Sequence, residues 1–324
     1  MKRMNPLRTY LLAAAVAAGA ALAPAASAQG ASTPLVLEQA PTRVAAWNGT
    51  VVWSHFDTTT KTYSLVKSVD AGEPAFVGVA PRRGTPFDID LGTNRSGATY
   101  AVYTRDGDIY RLNVATGAET RIDTLSSPTL AERDPTIQRG VIAFIRRNRG
   151  RDELRVGNTT GAAKGSRLLV RKRKILSAEL GMDHVVYIET AAGPISPDGE
   201  KRVRIRNLRT GAERQIYRAV SGGANDARVT KATYVDGPEA FVWARTNSGS
   251  GRGNRLIRYT LRGSQLAYAQ GSGFYNSTAW AGTPLGAVAA SSLDRGETQG
   301  ACTDAAINYC RVELTGPLQF NLQP

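Results

Sequence analysis

Cysteine and histidine are almost missing from this chain, with two of each in 324 residues. So few cysteines exclude a small disulfide-stapled scaffold. So few imidazoles leave little for a Ser-His-Asp relay or a His-rich zinc centre. No Gly-x-Ser-x-Gly elbow is present, and no strand leads into a glycine-rich phosphate loop and helix. Sustained helical periodicity is missing beyond the first thirty residues, as is any later apolar run of membrane length. Acid is scarce beside base: 41 Lys and Arg against 27 Asp and Glu, a formal charge of +14 and a pI near 10.1. What remains is globular, with 42% apolar residues and a mean hydropathy of −0.27. That composition excludes a disordered chain, a coiled coil and a polytopic membrane protein.

The beginning of the chain reads as an export address. Lys2, Arg3 and Arg8 precede the apolar run Leu11 to Ala23, Pro24 breaks it, and Ala26-Ser27-Ala28 offers a small-x-small cleavage site before Gln29. Residues 1–28 are therefore expected to be a signal peptide; an uncleaved N-terminal anchor is the alternative, though the run is short for one. Export implies a secreted, extracytoplasmic protein, and there Cys302 and Cys310 are expected to form a local disulfide. A metal site is the other reading for the two thiols, without nearby His to support it.

One unit recurs through the remainder: an apolar strand ending near an aromatic, a polar turn, a second strand, a Thr-Gly turn and a short last strand. The clearest copy is Ala98 to Ile122, with Tyr100-Ala101-Val102-Tyr103, the turn Arg105-Asp106-Gly107-Asp108, Ile109-Tyr110-Arg111-Leu112, Thr116-Gly117 and Glu119-Thr120-Arg121-Ile122. Further apolar strands are Val51-Val52-Trp53, Ile142-Ala143-Phe144, Val185-Val186-Tyr187, Phe241-Val242-Trp243 and Ala287-Val288-Ala289-Ala290. A four-stranded sheet of this size cannot stand alone. Such sheets packed face to face around an axis bury both faces of each. The fold class predicted is all-β: a β-propeller of six four-stranded blades over residues 41–324, with five or seven as alternatives. The aromatic strands are placed nearest the axis, and the alternating run Arg202 to Arg206 in an outer strand. Residues 29–40 form an N-terminal segment in which Leu35-Val36-Leu37 can add a ring-closing strand to the last blade. Leu318-Gln319-Phe320 is the rival for that place.

Ala98 to Ile122 resembles one blade of the TolB-type β-propellers: an apolar strand, a short acidic-glycine turn, Ile-Tyr and a Thr-Gly turn. Asp134-Pro135-Thr136-Ile137 ahead of Gly140 to Phe144 also resembles the start of such a blade. The resemblance covers about two copies well and implies a fold. It also implies partner binding, since the family's members mostly bind other proteins.

Chemistry-bearing residues are few. His55 and His184 read as strand-end structural residues. Asp88 and Asp90, two apart on a strand expected to lie by the axis, could act as an acid/base pair on a glycan or bind calcium. Asp106 and Asp108 read as hairpin-turn residues. Two basic runs are conspicuous: Arg146, Arg147, Arg149 and Arg151 in a loop of the third copy, and Arg171, Lys172, Arg173 and Lys174 between the third and fourth. On one rim they would attract an anionic partner through bidentate contacts. The expectation is a non-catalytic, exported binding or scaffold module for an envelope or extracellular protein. A glycan-acting enzyme and a polyanion binder are the alternatives. No cofactor or metal is expected, nucleic acid is disfavoured, and the chain is expected to be a monomer.

Overall fold

The computed structural model describes residues 33–159, 165–191, 200–219, 227–236, 239–248, 251–270, 277–283, 286–292, 310–315 and 321–322. Every regular element among them is a β-strand. The described residues open with β1 (Thr33–Glu38). A first sheet follows from β2 (Val44–Trp47), β3 (Thr50–Asp57), β4 (Thr62–Val69) and the two-residue β5 (Ala75–Phe76) and β6 (Arg82–Arg83). The second sheet holds β7 (Asp90–Thr93), β8 (Thr99–Arg105), β9 (Asp108–Asn113) and β10 (Glu119–Arg121). The third holds β11 (Glu132–Gln138), β12 (Val141–Asn148), β13 (Arg151–Asn158) and β14 (Arg167–Lys172). The fourth holds β15 (Lys174–Leu180), β16 (His184–Ala191), β17 (Glu200–Asn207) and β18 (Glu213–Ala219).

The fifth is built from β19 (Ala227–Asp236), β20 (Glu239–Ser248), β21 (Gly251–Thr260) and β22 (Gln265–Gln270). The sixth contains β23 (Ser277–Thr283), β24 (Gly286–Ser292) and β25 (Cys310–Thr315), and β26 (Asn321–Leu322) returns to pair with β22. The outer place beside β25 belongs to β1, so the start of the described chain is hydrogen-bonded to a strand near its end. Among the described residues four sheets thus have four strands and two have five, against the uniform four expected. All pairings are antiparallel, and apart from β1–β25, β22–β26 and β4–β6 they join consecutive strands into meanders. The first strands β2, β7, β11, β15, β19 and β23 lie each against the next, and β23 lies against β2. This is a β-propeller arrangement.

The core follows from strand periodicity. Alternate residues of a strand point to opposite faces, so an apolar run in a second strand feeds two neighbouring layers. Ala101 and Tyr103 pack into the layer between the first two sheets, while Val102 packs into the layer toward the third. Ile142 and Phe144 face back toward the second sheet; Ala143 and Ile145 face forward toward the fourth. Val185 and Tyr187, then Val186 and Ile188, divide in the same way. Val51 and Trp53 join a layer with Leu35, Val36 and Val312, while Val52 faces the second sheet. Burial on both faces is why these strands read as unbroken apolar runs.

Two placements differ from the sequence reading. The aromatic strands are second in their sheets, and the strands that touch around the axis are the more polar first ones. Arg202 to Arg206 lies in β17, a third strand covered by β18. Its alternation arises because Val203 and Ile205 are buried while the arginines reach outward to carboxylates. Of the remaining readings, residues 1–28, Cys302 and Leu318 to Phe320 lie outside the described residues.

Candidate functional site

Meander order gives the sheets two ends. First and third strands begin at one end, here termed the upper rim, and second and fourth strands finish there. The lower rim carries the tight turns Thr116-Gly117 and Thr210-Gly211. Both are built alike: Asn113 Oδ1 accepts from the N–H of Ala115 and Thr116, and Asn207 Oδ1 accepts from Arg209 and Thr210. Both glycines have positive φ, 73° and 74°, where a side chain is strained.

Near the axis, short polar side chains wire the first four sheets together. A first strand has one edge without a strand partner, and its N–H groups need acceptors. Ser54 Oγ accepts from Phe87 N at 2.9 Å, linking the first sheet to the second. Asp88 Oδ2 accepts from Asp134 N at 2.7 Å, and Asp90 Oδ2 accepts from Ile137 N at 2.8 Å, linking the second to the third. Asp152 Oδ2 accepts from Ile175 N and Thr136 Oγ1 from Leu180 N, linking the third to the fourth. The backbones approach so closely here that a Cβ on Gly92 would sit 2.1 Å from the Ile137 carbonyl oxygen.

The structure ties Asp88 and Asp90, read from the sequence as weak catalytic or calcium-binding candidates, to different backbone donors. Asp88 precedes β7 and is buried; besides Asp134 N, its carboxylate accepts from Thr104 N and Oγ1. Asp90 opens β7 and caps a different N–H. The two serve as separate latches. Asp90 instead shares its surroundings with Glu179, on the other side of Thr136, whose hydroxyl donates to Glu179 Oε1 at 3.2 Å. Burial pushes the Asp90 carboxyl up to about 6. Burial, and then the charge of Asp90, raise Glu179 well above the ordinary range. Sequence reasoning missed Glu179 and Thr136; the polar residue ahead of each apolar one in Asp90-Leu91, Thr136-Ile137 and Glu179-Leu180 is the signal that could have found them.

The two histidines take structural places. His55 Nδ1 lies 3.0 Å from Glu38 Oε2, and Glu38 also accepts from Trp53 Nε1 and Phe56 N, so β1 is clasped to the first sheet. His184 Nε2 meets Asn207 Nδ2 at 3.0 Å, and burial lowers its affinity for a proton. Among the described residues no three carboxylate, imidazole or thiol groups are arranged to hold a metal ion.

The basic runs meet at one corner of the upper rim. Arg146 and Arg147 lie just before Asn148 at the end of β12, Arg149 and Gly150 make a two-residue turn with φ of 47° and 75°, and Arg151 begins β13. Asp152 opposes Lys172 and Glu153 opposes Arg171 in the β13–β14 register, which brings the second run alongside the first. Arg147 Nη1 donates to the Arg173 carbonyl at 3.2 Å. Both runs therefore lie mostly in strands, and only Arg173 separates β14 from β15.

Within this corner the eight cations divide. Four rest on buried carboxylates: Arg146 on Glu132 at 2.7 Å, Arg147 on Asp152 at 2.9 Å, Arg171 on Glu153, and Lys172 on Glu189 at 3.0 Å. Burial would raise Glu153, but Arg171, Arg155 and Asn148 outweigh it and hold the carboxyl below its usual range. At Glu132 the balance goes the other way, and burial raises the group despite Arg146. The other four, Arg149, Arg151, Arg173 and Lys174, are exposed, and no side-chain partner faces them among the described residues. The corner thus presents four uncommitted cations on a frame of neutralised ones.

No family model and no curated protein matches the sequence. Among solved structures the chain is similar to a puromycin hydrolase mutant complexed with PGG, with a TM-score of 0.52 and 14% identity over 87% of this chain and 53% of that one. It is also similar to a puromycin-hydrolyzing peptidase of Mycobacterium tuberculosis, at TM-score 0.49 and 11% identity over 81% of this chain and 52% of that one. A third likeness is to a nidogen/laminin complex, at TM-score 0.42 and 11% identity over 68% of this chain and 76% of that one. The chain spans about half the length of the two hydrolase structures. The first of these likenesses bears on fold alone, and the fold it supports is a β-propeller.

Proposed function

We propose that this chain is an exported six-bladed propeller that works without catalysis, as a binding or scaffold module for an envelope or extracellular partner engaged at the upper rim. The six sheets and the closed order of their first strands support the blade count. The pairing of β1 with β25, and the Glu38 clasp onto the first sheet, support closure by the N-terminal segment. The leader pattern of residues 1–28 supports export, with Cys302 and Cys310 bridged in the oxidising compartment. Partner binding also follows the line of the TolB-type repeats that Ala98 to Ile122 resembles.

The observation that carries the binding reading is the convergence of both basic runs on one rim corner. Surface charge left without an internal partner is available to another molecule. The experiment is capture from an envelope fraction with the full chain as bait, after N-terminal sequencing of the exported form. The expected results are a mature chain beginning at Gln29 and a specific co-purifying partner. Folded bait that retains nothing above a charge-matched control defeats the reading.

A further inference from the structure

Resting on the binding-module reading, we infer that the ligand of the upper-rim corner is a linear polyanion, a flexible chain carrying closely spaced phosphate, sulfate or carboxylate groups. Three observations lead there. First, Arg149, Arg151, Arg173 and Lys174 occupy adjacent positions: Asn148 pairs with Arg151 across the hairpin, and Arg173 follows the Asp152–Lys172 pair directly. Cations this close repel one another, and a run of oxyanions relieves the repulsion while releasing counterions. Guanidinium forks suit such oxygens in pairs.

Second, the four neighbouring cations are already occupied by Glu132, Asp152, Glu153 and Glu189. They hold the corner in shape and leave only the outer tier to a ligand. Third, among the described residues the corner lacks the apolar centre that a protein interface uses. The exposed large apolar residues of the described surface are Leu37, Val69, Phe76, Leu168 and Met182. Of these, Leu168 alone belongs to the third sheet, and it sits toward the lower end of β14, opposite Arg155. A surface with charge and no apolar anchor gains affinity from counterion release, which is the thermodynamics of polyelectrolyte binding.

The test titrates the full chain with three probes, inorganic polyphosphate, heparin and polygalacturonate, across a range of salt concentrations. Binding should fall linearly in log–log form with a slope of about −3, set by four contacts. The quadruple variant Arg149→Ala, Arg151→Ala, Arg173→Ala, Lys174→Ala should lose at least tenfold in affinity and most of the slope while its unfolding curve stays in place. Arg139→Ala with Arg209→Ala, exposed cations at the lower rim, should leave binding unchanged. The rank of the three probes identifies phosphate, sulfate or carboxylate as the preferred group.

Binding that survives the quadruple substitution overturns the inference. So does failure of all three probes at low salt. If the envelope capture still yields a protein partner in that case, the polyanion is wrong and the module reading stands; if capture also fails, both fall.

Discussion

The inner ring and the upper-rim corner use carboxylates in opposite ways. In the ring, Asp88 and Asp90 receive backbone N–H groups from the next sheet, and Asp152 stands between the two uses, accepting from Ile175 N while Arg147 rests on it. At the corner, Glu132, Glu153 and Glu189 sit beneath arginines and lysines that spread over them. Among the described residues every buried charged side chain is a carboxylate, and none is Lys or Arg. A short carboxylate can be enclosed where backbone donors surround it, while long cationic side chains carry their charge out to water. A chain of net charge +14 thereby turns an acidic interior toward a basic skin.

Removing a latch in the ring should cost most. Asp88→Ala strands Thr104 N and Asp134 N without an acceptor, and about 3 kcal/mol should disappear from the unfolding free energy in urea titration. At the corner, Arg146→Ala leaves the Glu132 carboxylate without its cation; a loss of about 2 kcal/mol is expected, smaller because the rim is closer to water. A cost for Arg146→Ala above that for Asp88→Ala would break the distinction between the regions.

The comparison sharpens with pH. Asp90 has its affinity for a proton raised by folding, so its contribution is complete below about pH 4 and lost as pH rises through about 6. Asp90→Asn, still able to accept from Ile137 N, should flatten that decline and gain on the order of 1 kcal/mol at pH 8 in thermal or urea melts. Glu153 is depressed, so its contribution exists above about pH 4.5 and fades as pH falls further. Glu153→Gln should cost about 1 kcal/mol at pH 7 and progressively less as pH falls below about 4.5. The smallest effect is expected from Lys174→Ala, within about 0.5 kcal/mol at any pH, because that cation holds nothing together.

Legibility in the sequence tracked two-sided burial. The second strands were plain, because residues such as Ile142 to Ile145 feed two apolar layers and leave no polar break. The first strands were legible only in part: Asp88 and Asp90 were placed on a strand by the axis and Asp134 to Ile137 at a blade start, but the mixture of polar caps and apolar residues in Asp90–Thr93 and Glu132–Gln138 left the innermost place to be given to the aromatic strands. The Thr-Gly turns were readable because Asn, Thr and Gly each have a fixed task in them. Both basic runs were visible as charge, but their division into committed and free cations was not. That division depends on Glu132, Asp152 and Glu189, which approach them only through strand register or from another strand.

The pairing of β1 with β25 sets an order of events for a chain made from its N terminus. Leu35, Val36 and Leu37 are synthesised ahead of every described sheet, yet the strand they bond to emerges only after five sheets have been laid down. Through that interval they form an adhesive edge with no neighbour, the kind of segment that recruits a foreign chain. The β1–β25 pairing joins distant parts of the sequence, a kind of contact that forms slowly. A chain cut short before Cys310 keeps its opening strand unmated, and truncated products should precipitate where the finished molecule stays in solution.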